Sequence, residues 1–88
     1  MEQERLTSRI DDPSFIEAIR KQFAEEWDEL ITGPGSYSED ELTYGDKILR
    51  GEKVPRTHRW LDQKLVRIGQ DQRLTPDEID KLRELFLE

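Results

Sequence analysis

The strongest constraint on this chain is a run of apolar residues spaced three and four positions apart between two helix boundaries. The run lies between Asp12-Pro13 and the segment 33–36, which reads Gly-Pro-Gly-Ser. Aspartate can cap the free amides of a helix, and proline is favoured at the first helical position. Apolar side chains at this spacing form one face of an amphipathic helix. The members of that face are Ile16, Ile19, Phe23, Trp27, Leu30 and Ile31.

A second helix is predicted to begin at Ser38, because Ser38 and Glu41 have the spacing of a capping box. Gly51 is the expected stop, since glycine readily adopts the left-handed conformation that ends many helices. Gly45 lies inside this segment and weakens its intrinsic helix propensity. The apolar members expected here are Leu42, Ile48 and Leu49.

Two more helices are predicted in the second half of the chain. The third has Thr57 as its candidate cap and Gly69 as its expected end. The fourth begins at Thr75-Pro76, with Glu78 completing a capping box. Its apolar stripe comprises Ile79, Leu82, Leu85 and Phe86.

Alternating runs of β-branched residues, which predict strands, do not occur in the sequence. The predicted fold class is therefore all-α: a small, four-helix bundle-like single domain with short loops. Residues 12–88 form that domain, and residues 1–11 are expected to be a flexible N-terminal segment. The predicted core comprises Ile16, Ile19, Phe23, Trp27, Leu30, Leu61, Leu65, Ile68, Ile79, Leu82 and Phe86.

Composition excludes several classes of protein. The 88 residues contain no cysteine, which rules out disulfides, thiol chemistry and a cysteine-bound zinc. Charged residues make up 40% of the chain, and no apolar stretch approaches the roughly 18 residues of a membrane span. The N-terminus lacks the pattern of a secretory signal. We therefore expect a cytoplasmic protein that does not contact membranes.

The sequence offers little for catalysis. His58 is the only histidine, so a zinc site or a hydroxyl–histidine–carboxylate triad would depend on it alone. We expect it to be solvent-exposed at the start of a helix. Gly33-Pro34-Gly35 is neither preceded by a strand nor followed by the Gly-Lys-Ser/Thr of a phosphate loop. The prediction is no enzymatic activity, no catalytic residue, no cofactor and no metal.

Charge is unevenly distributed along the chain. Residues 1–46 carry 13 acids and 4 bases, whereas residues 47–73 carry 3 acids and 8 bases. Glu25, Glu26, Asp28 and Glu29 lie in an acidic run at the carboxyl end of the first helix, where acids oppose the helix dipole, and Glu25, Asp28 and Glu29 are the ones expected to contact a partner. They form a candidate acidic patch for a basic partner. The alternatives, which we favour, are pairing with the chain's own basic segment or simple solvation.

The basic segment supplies the second candidate surface. Trp60, Lys64 and Arg67 have the spacing of one helical face, and Arg56 and Arg59 lie close to it. Such a face is suited to phosphates or to an acidic peptide. The alternative for the indole, which we favour, is inward packing with cationic stems over its edge.

These features predict a non-enzymatic protein-interaction module: an accessory subunit, an adaptor or an inhibitor. Its partner would be another protein or a second copy of the chain, with opposite patches pairing in a homodimer. The alternative is a helix-turn-helix-like nucleic-acid regulator that uses residues 47–73. A net charge of -7 opposes the approach of phosphates and makes this alternative less favoured. A third interpretation is an acidic protein that occupies the basic cleft of an enzyme.

Overall fold

The structure, a computed structural model, describes residues 9–88. Within that range the chain forms helices and no strand, so the predicted all-α class is confirmed. The molecule is elongated, measuring 49 × 21 × 21 Å. Its elements are a 3₁₀ turn at Arg9–Asp11 and the helices α1 (Pro13–Thr32), α2 (Glu39–Leu42), α3 (Tyr44–Leu49), α4 (Arg59–Asp71) and α5 (Pro76–Phe86).

The expected flexible segment 1–11 falls mainly on residues 1–8, which lie outside the described range. Residues 9–11 form the 3₁₀ turn, and Ile10 is buried with 7% of its surface exposed. Arg9 donates a hydrogen bond to the carbonyl of Gln72. The domain therefore includes Ile10 in its core, ahead of the boundary expected at Asp12.

Helix α1 is the longest element and packs against both α3 and α4. It begins as predicted, with the Asp12 side chain accepting a hydrogen bond from the amide of Ser14 at 3.0 Å. It ends at Thr32, where the chain turns at Gly33. Its side chains Phe23 and Trp27 are fully buried and form the centre of the core.

The predicted second helix is divided into α2 and α3 at Thr43, which gives five α-helices in residues 9–88 instead of four. The Thr43 amide and hydroxyl both donate to the carbonyl of Asp40, at 3.0 and 2.7 Å, and this tightens the turn. Thr43 keeps helical backbone angles, so α3 continues from α2. The capping box of Ser38 and Glu41 is present as predicted. Gly51, with φ +86°, follows the end of α3.

Both predicted boundaries of α4 are wrong. The helix begins after His58, not after Thr57, and no side chain caps its first amides. It continues two residues past Gly69, because Gly69 serves in packing and does not end the helix. A Cβ atom at Gly69 would lie 2.7 Å from Ile79 Cγ1. The absent side chain therefore lets α5 approach α4 closely.

Helix α5 begins with the predicted capping box of Thr75 and Glu78. Its last residues pair with the connection between α3 and α4. The Val54 amide donates to the carbonyl of Phe86 at 3.0 Å, and the Glu88 amide donates to the carbonyl of Val54 at 2.9 Å. These bonds form a parallel bridge that joins the end of the chain to its middle.

Most of the predicted core is buried. Ile16 and Leu30 differ: they are partly exposed and pack on the edge of the core. Leu42, Leu49 and Leu85, which the periodicity assigned to apolar stripes, are exposed. The core also contains residues outside the predicted set, namely Ile10, Ala24, Tyr44, Ile48, Val54, Leu74 and Leu87.

Candidate interaction surfaces

The three acids of the predicted patch, Glu25, Asp28 and Glu29, are exposed on α1. Asp28 faces α3, where a Cβ atom at Gly45 would lie 2.5 Å from Asp28 Oδ1. The missing side chain of Gly45 thus leaves room for this carboxylate. Burial by the neighbouring helix, and then the charges of Asp46 and Glu25, raise the pKa of Asp28 above its ordinary value.

The fold therefore adds Asp46 of α3 to the acidic patch of α1. Sequence reasoning missed this residue, because Asp46 lies 18 positions beyond Asp28 and only the packing of α3 on α1 brings them together. Among residues 9–88, no Lys, Arg or His nitrogen lies within 4 Å of these four carboxylates. We call Glu25, Asp28, Glu29 and Asp46 the acidic surface.

Lys64, one of the predicted basic residues, pairs with an acid of this chain. Its Nζ lies 2.6 Å from Glu26 Oε1, on the side of α1 that faces α4. The hydrogen bond from Lys64, helped by one from Gln22, lowers the pKa of the Glu26 carboxyl. Internal pairing, the alternative favoured from the sequence, thus accounts for Lys64 and for Glu26 of the acidic run, but not for Glu25, Asp28 or Glu29.

The other predicted cations have different surroundings. Arg56 Nε donates to the carbonyl of Glu88 at 2.9 Å and so helps to fix the end of the chain. Arg59 and Arg67 are exposed on α4, and neither forms a salt bridge with any residue in the range 9–88. We call Arg59 and Arg67 the basic surface.

Trp60 packs inward, as the alternative interpretation of this side chain predicted. Its ring stacks on Phe23 at 6.4 Å and lies 5.3 Å from the ring of Trp27. The Lys64 ammonium lies over the Trp60 ring, 5.7 Å from its centroid. Trp60, Gln63, Lys64 and Arg67 line an open groove of about 210 Å³.

His58 was expected in solvent, but it is partly buried between helices. Its Nε2 lies 3.1 Å from Glu41 Oε2, and its ring packs edge-on against Trp27 at 5.2 Å. Trp27 Nε1 in turn donates to the carbonyl of Glu41 at 2.9 Å. The hydrogen bond from the Ser38 amide is the main cause of the lowered pKa of Glu41, and the bond to His58 adds to it. His58 therefore connects α2 to the start of α4.

The segment proposed as a helix-turn-helix has a long connection. Nine residues, 50–58, separate α3 from α4, whereas the turn of such a motif has three or four. Within this connection Val54 is fully buried and pairs with Leu87. The connection is thus part of the core packing and does not form a tight turn between two helices.

The chain has no significant match among protein-family models, curated proteins or solved structures. These comparisons therefore provide no relative from which a function could be inferred. Between residues 9 and 88, no helix combines the length and the apolar character that crossing a membrane requires. In the same range, His, Asp and Glu side chains do not gather in threes at a metal-binding distance.

Proposed function

We propose that this chain is a non-enzymatic protein-interaction module, acting as an accessory subunit, adaptor or inhibitor. The observation that carries the proposal is the lack of internal salt bridges. Of the seven residues predicted to contact partners, Lys64 alone forms a salt bridge within the described part of the chain. The acidic surface and the basic surface have no salt-bridge partner in residues 9–88, and Arg50 interacts with Asp46 only at longer range.

The acidic surface is the stronger support. Carboxylates at the carboxyl end of α1 oppose the helix dipole, and Asp28 is further repelled by Asp46 and Glu25. Charges that destabilise the isolated fold gain free energy when a partner supplies opposite charges. We therefore propose that this surface faces lysine and arginine side chains of another protein.

The basic surface supports a second contact. Arg59 and Arg67 lie on the same helix as the groove beside Trp60, and guanidinium groups bind carboxylates with two parallel hydrogen bonds. An acidic peptide segment fits this chemistry. Nucleic acid is less favoured, because the net charge of -7 opposes phosphate approach.

The test is capture from a lysate of the source cells at low salt, with and without nuclease, read by mass spectrometry. The wild-type chain is compared with an acid-neutralised variant, Glu25→Gln/Asp28→Asn/Glu29→Gln. A second variant, Arg59→Gln/Arg67→Gln, neutralises the basic surface. Circular dichroism first establishes that each variant retains its helices.

The matched control is Lys81→Gln/Glu84→Gln on α5, whose side chains are exposed and form no salt bridge in residues 9–88. A protein captured in stoichiometric amount after nuclease, lost with either surface variant and kept with the control, supports the proposal. Loss of all captured material on nuclease treatment overturns it in favour of nucleic-acid association. Equal capture by the wild type and both surface variants also overturns it.

A further inference from the structure

The segment formed by α2 and α3 has leucines on its outer side as well as apolar residues on its inner side. Tyr44 and Ile48 face the core and are 7% and 0% exposed. Leu42 and Leu49 are 51% and 47% exposed. Helices α4 and α5 bury most of their large apolar side chains, and in residues 9–88 the third exposed large hydrophobic side chain is Leu85 of α5. The outer side of α2–α3 is therefore unusual within this fold.

The two leucines lie on one side of the segment. They are seven positions apart, which is two helical turns, and Thr43 between the two helices keeps backbone angles of φ −94° and ψ −2°. Asp46 follows Leu42 by four positions and precedes Leu49 by three, so it lies on the same side. We call Leu42, Asp46 and Leu49 the leucine strip.

The leucine strip adjoins the acidic surface through Asp46. Asp28 lies against Gly45, one position before Asp46, and Glu25 is close enough to Asp28 to help raise the pKa of that carboxyl. Within residues 9–88, none of these carboxylates forms a salt bridge with a cation of the same chain. Arg50 interacts with Asp46 only beyond salt-bridge distance, and its guanidinium is paired with Glu52. An apolar pair two turns apart is thus bordered by carboxylates that lack a salt-bridge partner.

We infer that the leucine strip binds a basic amphipathic helix of a partner protein. Such a helix presents apolar anchors at three-, four- and seven-residue spacing, with lysines or arginines beside them. The anchors would cover Leu42 and Leu49, and the cations would face Asp28 and Asp46. This inference rests on the proposed function and names the kind of partner that its acidic surface takes.

A second copy of the chain is a poorer occupant. Its basic helix is α4, and the leucines of that helix, Leu61 and Leu65, are fully buried in the core. The outward face of α4 therefore offers Arg59 and Arg67 with only partly exposed apolar side chains, Trp60 and Val66, and no large apolar residue as exposed as Leu42 or Leu49. The strip and its acids match a partner that carries both features on one face.

The experiment uses a fluorescent synthetic helix of about 15 residues as the probe, with leucines at three- and four-residue spacing and lysines elsewhere. Two matched peptides carry glutamate in place of lysine, or serine in place of leucine. Anisotropy titrations against the full chain are expected to show binding of the lysine–leucine peptide about tenfold tighter than that of either control peptide.

Protein variants locate the site. Leu42→Ser/Leu49→Ser is expected to weaken binding of the lysine–leucine peptide about tenfold. The matched control, Leu85→Ser, removes a leucine of similar exposure on α5, at 44%, and should leave the affinity unchanged. Amide chemical-shift mapping on the wild type needs no variant, and it should place the peptide on residues 42–49 and on the adjoining face of α1.

Several results would overturn the inference: equal affinity of Leu42→Ser/Leu49→Ser and wild type, equal binding of the glutamate peptide, or shift changes confined to other surfaces. A wild-type dimer that Leu42→Ser/Leu49→Ser dissociates in sedimentation would do the same, since the occupant would be a second copy. Failure here is distinguishable from failure of the proposed function. Lysate capture that requires the acids but survives Leu42→Ser/Leu49→Ser keeps the function and removes the leucine strip.

Discussion

Gly69 of α4 lies so close to Ile79 of α5 that a methyl group on Gly69 would approach Ile79 Cγ1 to 2.7 Å. Cγ1 is bonded directly to the Cβ atom of Ile79, a buried residue. Because isoleucine is β-branched, rotation about its first side-chain bond is restricted, and Cγ1 has little freedom to move. The packing of the last two helices therefore depends on the absence of a side chain at Gly69. Intrinsic helix propensity alone would favour alanine there by about 1 kcal/mol.

We expect Gly69→Ala to destabilise the fold by about 1–3 kcal/mol, since overpacking outweighs the gain in propensity. Gly45→Ala is the matched comparison, because the atom nearest its added methyl is the carboxylate oxygen of Asp28, at the end of a side chain that can rotate into solvent. It should be close to neutral or stabilising. Urea denaturation of both variants measures the difference, and equal losses for the two would contradict this account.

Arg73 holds a left-handed conformation, with φ +61°, directly after α4. The Leu74 amide donates to the carbonyl of Gly69 at 3.0 Å and the Arg73 amide to that of Gln70 at 2.9 Å, which is the Schellman pattern that favours glycine at this position. Arg73→Gly is expected to raise the free energy of unfolding by about 0.5–1 kcal/mol. Gln70→Gly, within the helix, should lower it by about the same amount.

Thermal unfolding of both variants by circular dichroism decides this prediction. The opposite signs of the two glycine substitutions are the critical result. A loss of stability in Arg73→Gly would show that interactions of the arginine side chain stabilise the fold by more than the left-handed backbone conformation destabilises it.

Asp28→Asn is expected to stabilise the protein at neutral pH. The ordinary pKa of an aspartate carboxyl, which applies to the unfolded state, is 3.8. Because the pKa of Asp28 is raised above this value in the folded state, the folded protein holds this proton more tightly than the unfolded chain does. Stability therefore decreases as pH rises between 3.8 and the raised folded value. Ionised Asp28 opposes folding above that window, and the amide removes this effect.

Urea midpoints of the wild type and Asp28→Asn at neutral and acidic pH measure this effect. The advantage of Asp28→Asn should vanish below pH 3.8, where both states of the wild type are protonated. Asp46→Asn provides a double-mutant cycle: the two substitutions together should gain less than the sum, since each relieves the same repulsion. An additive result would exclude a contribution from Asp46 and leave burial and the charge of Glu25 as the causes of the raised pKa.

The Lys64–Glu26 pair should stabilise the packing of α1 on α4. The lowered pKa of Glu26 makes its contribution complete above its ordinary value of 4.5, and the contribution is lost as pH falls through the folded pKa. We expect a coupling of about 0.5–1 kcal/mol from the cycle Lys64→Met and Glu26→Gln at neutral pH. The same cycle should give no coupling well below the folded pKa.

Arg50 and Glu52 offer the matched control. Their atoms also approach closely, at 2.9 Å, but the side chains are 57% and 52% exposed, against 27% and 30% for Lys64 and Glu26. Water screens such a pair, so its coupling should be near zero. Equal couplings for the two pairs would show that burial between helices adds nothing.

The helix boundaries that were predictable are those set by partners within a few residues. Asp12 caps the amide two positions later, and Thr75 pairs with Glu78 three positions later. These bonds join residues that are close in sequence, so they are favoured by the local sequence and need no partner from another helix. The inward side of α1 was predictable for a similar reason, because one long apolar stripe has a single way to be buried.

The sequence by itself determined the all-α class, the starts of α1, α2 and α5, and most of the core. The tertiary structure alone decided that Gly69 is a packing contact, that His58 pairs with Glu41 of α2, and that Leu42 and Leu49 remain exposed. Each of these facts depends on residues from separate helices. Periodicity identifies an apolar face but does not say whether a neighbouring helix is long enough and close enough to cover it.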